Sequence, residues 1–314
     1  MFVLYYLCVN DVVGITAHHF FRKDMRVAKH KNIRKLLRAR QNRIKASTSS
    51  IDNYLFMYLK MFAGEDFDIE DIDTAFIAKF AKWLLDYRKM TPNSAKTYLH
   101  KLHALLVDAF YAGFIKAIPQ VDTKRLLPKC ETKEKEFLSV EELRKLEKTP
   151  CGNRVMKYSF LFSCYTGLRL SDIETLTWSD IKSHYGKNMV VKKQQKTDSV
   201  VKVPLCDKAL EILDTILEKD LFDKETHRIF PLPSRTAIGL CLNNWVKRAG
   251  INKHISFHSA RVTFATLNIL AGTDISIVSR LCGHKNITTT MIYAKMTDQS
   301  YDVALDNMDN LFNK

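Results

Sequence analysis

One stretch of the chain, residues 254–293, places chemically reactive side chains at a series of predicted helix ends. It reads HISFHSARVTFATLNILAGTDISIVSRLCGHKNITTTMIY. His258 and Arg261 are three residues apart, so they share one face at the start of an apolar helical pattern. His284 follows a second predicted helix end, and Tyr293 stands nine residues beyond it. Packing alone is a poor explanation for these four residues, so the stretch indicates a functional site.

The turn-forming residues of this stretch predict three consecutive helices. Gly272 ends the first helix, and Thr273 or Asp274 can cap the second, which is expected over residues 275–281. The Cys-Gly-His sequence that follows marks the end of the second helix. Residues 288–293 are expected to open a third, short helix that carries its tyrosine towards the interior.

Two motifs of this stretch resemble sequence boxes of the tyrosine recombinase (phage integrase) family. His258-Ser-Ala-Arg261-Val-Thr-Phe-Ala-Thr266 is similar to the family's His-x-x-Arg-His-Thr-Phe-Ala-Thr box. Leu281-Cys-Gly-His284 and Thr289-Thr-Met-Ile-Tyr293 resemble the last box, which reads Leu-Gly-His, a Thr-Thr pair and an Ile-Tyr. The extra Cys282 departs from that box but leaves the histidine-to-tyrosine spacing intact. Two boxes in order, followed by the nucleophile, make the resemblance specific.

A motif further upstream resembles the first box of the same family. Thr166-Gly-Leu-Arg169-Leu-Ser-Asp172-Ile is similar to Thr-Gly-Leu-Arg-x-Ser-Glu/Asp-Leu. It is expected at the end of a helix over about residues 155–165, with its glycine in the turn. Ser171 or Asp172 is expected to cap a following helix that runs through Leu176. A solitary arginine here would be read as a surface ion pair, and the resemblance makes Arg169 a candidate site residue instead.

Residues 189–204 predict two strands around a polar turn, because apolar and polar residues alternate on its second arm. The resemblance implies a catalytic lysine on this hairpin. Lys196, which a threonine follows, matches that position. Lys192 and Lys193 lie on the same hairpin and stay open as competitors.

The resemblance implies a site-specific DNA recombinase that cleaves and rejoins strands through a 3′-phosphotyrosyl intermediate, for integration, excision or inversion of a DNA element. The catalytic residues that it implies are Arg169, Lys196, His258, Arg261, His284 and Tyr293. Asp172 is expected to orient Arg169 or His258 without contacting the substrate. No metal or other cofactor is implied, because the two arginines and the lysine take the charge-stabilising role that magnesium has in other enzymes.

The net charge of +15 and the pI of about 9.4 favour a polyanionic partner. No apolar run approaches the roughly 18 residues that a membrane span needs, so nucleic acid is preferred over an anionic membrane. The apolar first nine residues lack the basic lead and the cleavage site of a signal peptide. The seven cysteines are scattered and include no Cys-x-x-Cys, which is typical of reduced thiols in a cytoplasm.

The length of 314 residues predicts more than one domain. The expected parts are a basic N-terminal segment, a helical core DNA-binding domain, a linker and a catalytic domain, over residues 1–45, 46–118, 119–137 and 138–314. The basic run over residues 22–45 is either a solvated helix or a phosphate-contacting arm, and both readings stay open. The small polar residues Ala46–Ser50 are read as a break between the first two parts.

The expected fold class is mainly α, with a helical N-terminal domain and an α+β catalytic domain that has a small antiparallel sheet. Apolar residues at helical spacing predict N-terminal helices over about residues 51–59, 73–89 and 91–113, the last with Thr91 as its cap and Pro92 in its first turn. The resemblance implies that these helices form the family's core-binding (SAM-like) domain, which clamps one side of the duplex.

The expected partners are double-stranded DNA with specific recombination sites and further copies of the chain, as a tetramer on paired sites. Accessory DNA-bending proteins are a further class of partner in this family, and no membrane partner is expected. An amphipathic pattern over residues 298–312 could pack on its own core or dock on a neighbouring protomer.

Two functions of other classes stay open at this point. A type IB topoisomerase shares the tyrosine chemistry, but it would relax DNA as a monomer without a sequence requirement. A non-catalytic DNA-binding regulator would lack one of the expected residues, and none is missing. The choice of target site is expected to depend on groove contacts and DNA deformability rather than on these motifs.

Overall fold

The computed structural model describes residues 36, 39–40, 46–64, 67, 69–129, 135–196 and 198–294. The chain divides into two compact units, Met1–Thr132 and Lys133–Lys314. The division falls within the predicted linker, and the four predicted domain ranges stay predictions. The amphipathic pattern over residues 298–312 lies outside the described residues.

The described part of the first unit is helical. Its elements are α1, a 3₁₀ turn, α2, α3 and α4, over Ala46–Ala63, Ile69–Asp71, Thr74–Asp86, Pro92–Tyr111 and Thr123–Leu126. Asp73 caps α2 by accepting a hydrogen bond from Phe76 N at 2.6 Å. Thr91 caps α3, and Pro92 occupies its first turn as predicted, where a missing N–H costs nothing.

Two features of this unit differ from the expectation for its N-terminal part. The residues Ala46–Ser50, which were expected to break the chain, form the start of α1. Small hydroxyl residues are tolerated there because the first N–H groups of a helix have no intrahelical partner. Leu36, from the basic segment, is buried in the core of the unit. Arg40 pairs with Asp52 and Asp108 at 3.2 and 2.6 Å.

The second unit combines helices with a three-stranded sheet. Its helices are α5, α6, α7, α8, α9, α10, α11 and α12, over Val140–Lys148, Arg154–Thr166, Leu170–Ile173, Asp207–Glu218, Arg235–Arg248, Phe257–Leu270, Ile275–Cys282 and Thr288–Ala294. The strands are β1, β2 and β3, over Ile181–His184, Lys187–Lys193 and Val200–Pro204, in antiparallel order β1-β2-β3. The predicted mainly α fold with a small antiparallel sheet is confirmed.

The predicted hairpin corresponds to β2 and β3, whose alternating valines face the core. Val190 lies opposite Val203, and both side chains are buried. β1 was not predicted, because its residues are mostly exposed and show no alternation of polar and apolar side chains. The formation of β1 therefore depends on its pairing with β2 and not on its own sequence pattern.

The helix starts of the second unit follow local capping chemistry. The capping box that opens α5 pairs Ser139 N with Glu142 Oε2 at 2.8 Å and Glu142 N with Ser139 Oγ at 3.2 Å. Asp207, which looks like a cap residue for α8, is instead its first residue, after Cys206. A carboxylate in the first turn still interacts favourably with the positive end of the helix dipole.

The packing of α6 on α10 places the site. Phe160 of α6 makes edge-to-face contacts with Phe257 and Trp245, with ring centroids 5.6 and 6.0 Å apart. The turn after α6 lies beside the middle of α10, where Gly167 contacts Phe264 and its carbonyl oxygen accepts a hydrogen bond from Arg261. None of the helices in the described part of the chain is long and apolar enough to cross a lipid bilayer.

Replacing Gly167 with alanine is expected to destabilise the second unit. Gly167 has a φ of +68°, and a Cβ there would lie 2.4 Å from Phe264 Cδ1. Left-handed backbone costs a residue with a Cβ about 1–2 kcal/mol, and overpacking adds about 1–3 kcal/mol. The free energy of unfolding, measured by urea denaturation, should therefore fall by about 2–5 kcal/mol.

Gly239 is the matched control, because it lies inside α9 with nothing within 4 Å of a built Cβ. Gly239→Ala should raise the free energy of unfolding by up to about 1 kcal/mol through helix propensity. Equal effects of the two substitutions would contradict the account of Gly167.

Candidate active site

The first side of the site is the turn at the end of α6. Gly167 adopts the left-handed conformation, and its N–H donates to Ser163 O at 2.8 Å. Ser163 Oγ donates to Leu168 O at 2.7 Å and fixes the next residue. Arg169 follows directly, at the N-cap of α7.

The predicted helix after Arg169 needs two corrections. α7 ends at Ile173 and not at Leu176, and neither Ser171 nor Asp172 caps it. The changed cap follows from the helix start: α7 begins at Leu170, so Ser171 and Asp172 lie inside its first turn, and the buried Asp172 carboxylate bonds to a residue outside the helix. Its Oδ1 accepts a hydrogen bond from Gln195 N at 2.9 Å.

The second side of the site is the turn at the end of α11. Asp274 caps this helix by accepting from Ser276 N at 2.8 Å, as one of the two predicted caps. Gly283 ends it with a φ of +62°, and His284 N donates to Ser279 O at 3.0 Å. This geometry is the common left-handed end of a helix, and it turns the His284 side chain towards α12.

Arg261 joins these two turns. Its side chain is buried, with 1% of the residue exposed. Nη1 donates to Gly167 O at 2.8 Å, and Nη2 donates to Cys282 O. A guanidinium has a rigid, planar arrangement of donors, so the two bonds fix the separation of the α6 turn and the α11 turn.

Tyr293 lies on α12 and points inward, as predicted. It is 1% exposed and packs with Val262, Phe264, Val278 and other apolar residues of α10 and α11. Its ring lies 6.3 Å from the His284 ring, centroid to centroid, with an angle of 27° between the planes.

The phenol of Tyr293 is subject to opposing influences. Burial raises its pKa above the ordinary value, while the positive charges of Arg261 and Arg169 lower it. Burial is the larger influence, so the phenol is neutral near pH 7. The two guanidinium groups nevertheless lie close enough to stabilise its anion once the proton leaves.

Both histidines of the site are neutral near pH 7. His258 is exposed to solvent, but the surrounding protein atoms still displace enough water to lower its pKa to about 4, and the charges of Lys135, Arg261 and other cations lower it too. Burial, followed by Arg261 and Arg169, lowers the pKa of His284 to about 4. His284 Nδ1 lies 2.7 Å from Thr290 Oγ1.

Arg169 carries an unpaired donor. Burial and the neighbouring Arg261 charge lower its pKa, and the Asp172 charge opposes them. Among the described residues, its Nη1 is buried and has no hydrogen-bond partner. Leaving such a group unpaired costs about 1–3 kcal/mol. An unpaired buried donor beside a second guanidinium is a site that favours an anion.

The β2–β3 hairpin exposes Lys196 to solvent and buries Lys192. Lys192 is buried, and its Nζ donates to Thr175 O at 2.5 Å and to Asp180 Oδ2 at 2.6 Å. Lys193 and Lys196 are both exposed. The charge of Lys196 is among those that lower the pKa of His258.

Lys135 is a cation at this site that sequence reasoning missed. Its Nζ lies 5.7 Å from the centroid of the Tyr293 ring, and its charge acts on both site histidines. The segment that carries it is fixed to α10, because Leu138 N donates to Thr263 Oγ1 at 3.0 Å. Lys135 stands in a run of alternating lysine and glutamate that was read as linker, and no motif singled it out.

Comparison with known proteins decides the family. Residues 135–300, more than half of the chain, match the sequence model of the phage integrase family, and residues 30–124 match that of the phage integrase SAM-like domain. The chain belongs to the phage integrase family. The predicted family is therefore confirmed.

Relatives with similar sequences carry corresponding names. A tyrosine recombinase of Thermosipho africanus is 26% identical over 268 residues, which cover 82% of this chain and 90% of that protein. The tyrosine recombinase XerC of Oceanobacillus iheyensis is 33% identical over 202 residues, or 59% of this chain and 64% of that protein. The prediction of a tyrosine recombinase enzyme is confirmed, and neither the topoisomerase nor the regulator is favoured.

Solved structures share the fold. The Tn1549 transposon integrase in complex with circular intermediate DNA aligns with a TM-score of 0.68 at 17% identity, covering 88% of this chain and 99% of that one. XerH bound to a palindromic difH substrate aligns at 0.69 and 17%, covering 88% and 84%. A lambda integrase dimer bound to a core site aligns at 0.64 and 21%, covering 83% and 92%.

The two site histidines should titrate well below the ordinary imidazole range of about 6.5. NMR of the protein with labelled histidine, assigned through His258→Gln and His284→Gln, should show both rings neutral down to about pH 5 and titrating near 4. The urea-unfolded chain is the control, in which both should titrate near 6.5. Titration of both rings near 6.5 in the folded protein would contradict the described site.

The same shifts set the direction of a stability change. Because the unfolded chain takes up these two protons first, the free energy of unfolding should fall as the pH is lowered from about 6.5 to about 4. The part of this fall that comes from the two histidines should be absent when both are replaced by glutamine.

Proposed function

We propose that Tyr293 is the nucleophile of this recombinase. Its Oη attacks the phosphorus of the scissile phosphodiester, so that a 3′-phosphotyrosyl bond forms and the bond to the 5′-oxygen breaks. A 5′-hydroxyl of the partner strand then attacks the phosphotyrosine and restores a phosphodiester. A covalent intermediate conserves the energy of the broken bond. The observation that carries this proposal is a buried tyrosine beside His284. The charges of Arg261 and Arg169 act to lower the pKa of its phenol.

Two proton transfers accompany cleavage. The neutral phenol must lose its proton, and His258, which is neutral near pH 7, accepts it. The leaving 5′-oxygen gains a proton from Lys196. The exposed position of Lys196 and its electrostatic influence on His258 support this role. Lys192 is the weaker candidate, because its ammonium is already bonded to Thr175 O and Asp180.

The cations stabilise the charge of the transition state. Negative charge builds up on the non-bridging oxygens of the phosphate as the phosphorus becomes five-coordinate. Arg169 supplies its unpaired Nη1, and Arg261 supplies the N–H groups that do not bond to the two turns. Donors held in place before the reaction need no reorganisation during it.

His284 adds a neutral hydrogen bond to the same phosphate. Thr290 can donate its hydroxyl proton to Nδ1, which lies 2.7 Å away. This bond selects the tautomer with the proton on Nε2, and the Nε2–H group can then donate to a phosphate oxygen. Of the two roles expected for Asp172, its charge on Arg169 supports the orientation of Arg169, and its hydrogen bond from Gln195 N also holds the lysine hairpin.

The substrate is double-stranded DNA with specific recombination sites, and the assembly is a tetramer on paired sites. The net charge of +15 supports a phosphate-rich partner. Structures of the same fold in complex with DNA support the same partner. Accessory DNA-bending proteins and a cytoplasmic, DNA-associated location complete the proposal.

Tyr293→Phe should abolish covalent protein–DNA adducts on a nicked suicide substrate, because the substitution removes only the attacking oxygen. DNA affinity in a gel-shift assay should change by less than about threefold. Tyr185→Phe, at a tyrosine that is 92% exposed, is the matched control and should form adducts like the parent protein. Adducts formed by the Tyr293→Phe protein would exclude Tyr293 as the nucleophile.

Lys196→Ala should slow cleavage of an ordinary phosphodiester by about 10²- to 10⁴-fold, the usual contribution of a general acid. A 5′-bridging phosphorothioate has a sulfur leaving group that needs no proton, so it should restore the rate. Lys193→Ala is the comparison variant. If its cleavage is slowed and rescued while that of Lys196→Ala is not, the general acid is Lys193.

A further inference from the structure

We propose that Gln194 is a positioning residue for strand cleavage. Its buried amide fixes the β2–β3 hairpin, which carries Lys196, against the end of α11, which carries His284. This inference rests on the proposed role of Lys196 as the general acid. No motif pointed to Gln194, which lies two residues before that lysine.

The NH₂ group of the Gln194 amide connects the hairpin to the end of α11. Gln194 is 1% exposed, and its Nε2 donates to Cys282 O at 3.2 Å. The same carbonyl oxygen accepts the Nη2 bond of Arg261. A carbonyl has two lone pairs, so Gln194 and Arg261 bind one oxygen from two elements, and the hairpin is thereby aligned with the guanidinium.

The carbonyl oxygen of the Gln194 amide bonds across the turn that carries Lys196. Gln194 Oε1 accepts from Ser199 Oγ at 3.2 Å, across the turn. The backbone repeats this connection, since Gln194 N donates to Ser199 O at 2.9 Å and Asp198 N donates to Gln194 O at 3.0 Å. The position of Lys196 within the turn therefore depends on where the Gln194 amide is held.

The contact between the hairpin and α11 leaves no spare room. A Cβ built on Gly283 would lie 2.6 Å from Gln194 Oε1 and 2.5 Å from Val201 Cγ1. The neighbouring residue provides a second fixed point, because Gln195 N donates to Asp172 Oδ1 at 2.9 Å. Two consecutive residues thus attach the hairpin to the α11 turn and to the segment after Arg169.

This attachment matters for a long and exposed side chain. A general acid must come within hydrogen-bond distance of the leaving oxygen, and Lys196 is exposed. A displacement of about 1 Å can slow a reaction by about 10²-fold. Loss of the Gln194 amide should therefore impair the protonation of the 5′-oxygen more than the attack by Tyr293.

The test compares two substrates in single-turnover cleavage. Gln194→Met keeps the size of the side chain and removes both hydrogen bonds. It should slow cleavage of the ordinary phosphodiester by about 10- to 100-fold, and a 5′-bridging phosphorothioate should bring the rate to within about threefold of the parent protein. Asn188→Leu, an amide loss at an exposed position of β2, should leave both rates unchanged.

The outcomes separate the inference from the function on which it rests. A Gln194→Met protein that is unimpaired, or equally slow on both substrates, would show a merely structural amide and overturn the inference. If the phosphorothioate fails to rescue Lys196→Ala, the general-acid assignment itself is wrong and the inference falls with it. Rescue of both Lys196→Ala and Gln194→Met by the phosphorothioate would support the general-acid role of Lys196 and the positioning role of Gln194.

A second variant keeps the test decisive if Gln194→Met does not fold. Gln194→Glu retains the acceptor for Ser199 Oγ and loses the donor to Cys282 O. It should show the same selective defect on the ordinary phosphodiester and the same rescue by sulfur. A defect of equal size on both substrates would again overturn the inference.

Discussion

The two hydrogen bonds of the buried Arg261 guanidinium hold the site together. They run to Gly167 O and Cys282 O, the carbonyls at the ends of two helices that are far apart in sequence. Both helices end in a left-handed glycine, which leaves carbonyl groups of the last turn available to accept hydrogen bonds from other elements. Arg261 satisfies these carbonyls and, by doing so, fixes the places from which Arg169 and His284 project. The structural and the chemical role of one side chain are therefore inseparable.

The arrangement gathers positive charge before any anion is bound. The charges of Lys135, Arg169, Arg261 and Lys196 together lower the pKa of His258. Like charges at short range cost free energy, and so does the unpaired Nη1 of Arg169. A bound phosphodiester would offset both costs, because it supplies negative charge and hydrogen-bond acceptors at one point. Burial and the same field keep the histidines neutral, so that one can accept a proton and the other can donate a neutral hydrogen bond.

Local sequence signals predicted the elements of the site but not all of the contacts between them. The spacing of His258 and Arg261, the glycine turns and the inward face of α12 follow from helix periodicity and capping chemistry, and the structure bears out these helices. The distinction between Lys192 and Lys196 could not be predicted, because it depends on an ion pair between Lys192 and Asp180, which lies in the turn before β1. Lys135 and Gln194 were missed for a related reason. Their importance comes from tertiary contacts with Tyr293 and Cys282, and neither stands in a pattern that local propensity can detect.

The central claim is that Arg261 couples the two glycine turns, and hydrogen exchange of the DNA-free Arg261→Lys protein tests it most directly. Lysine keeps the charge but cannot reproduce the planar pair of donors. The account predicts faster amide exchange at both Gly167–Arg169 and Gly283–His284, with the β2–β3 ladder and the free energy of global unfolding much less affected. Unchanged exchange at both turns, or faster exchange at only one of them, would contradict it.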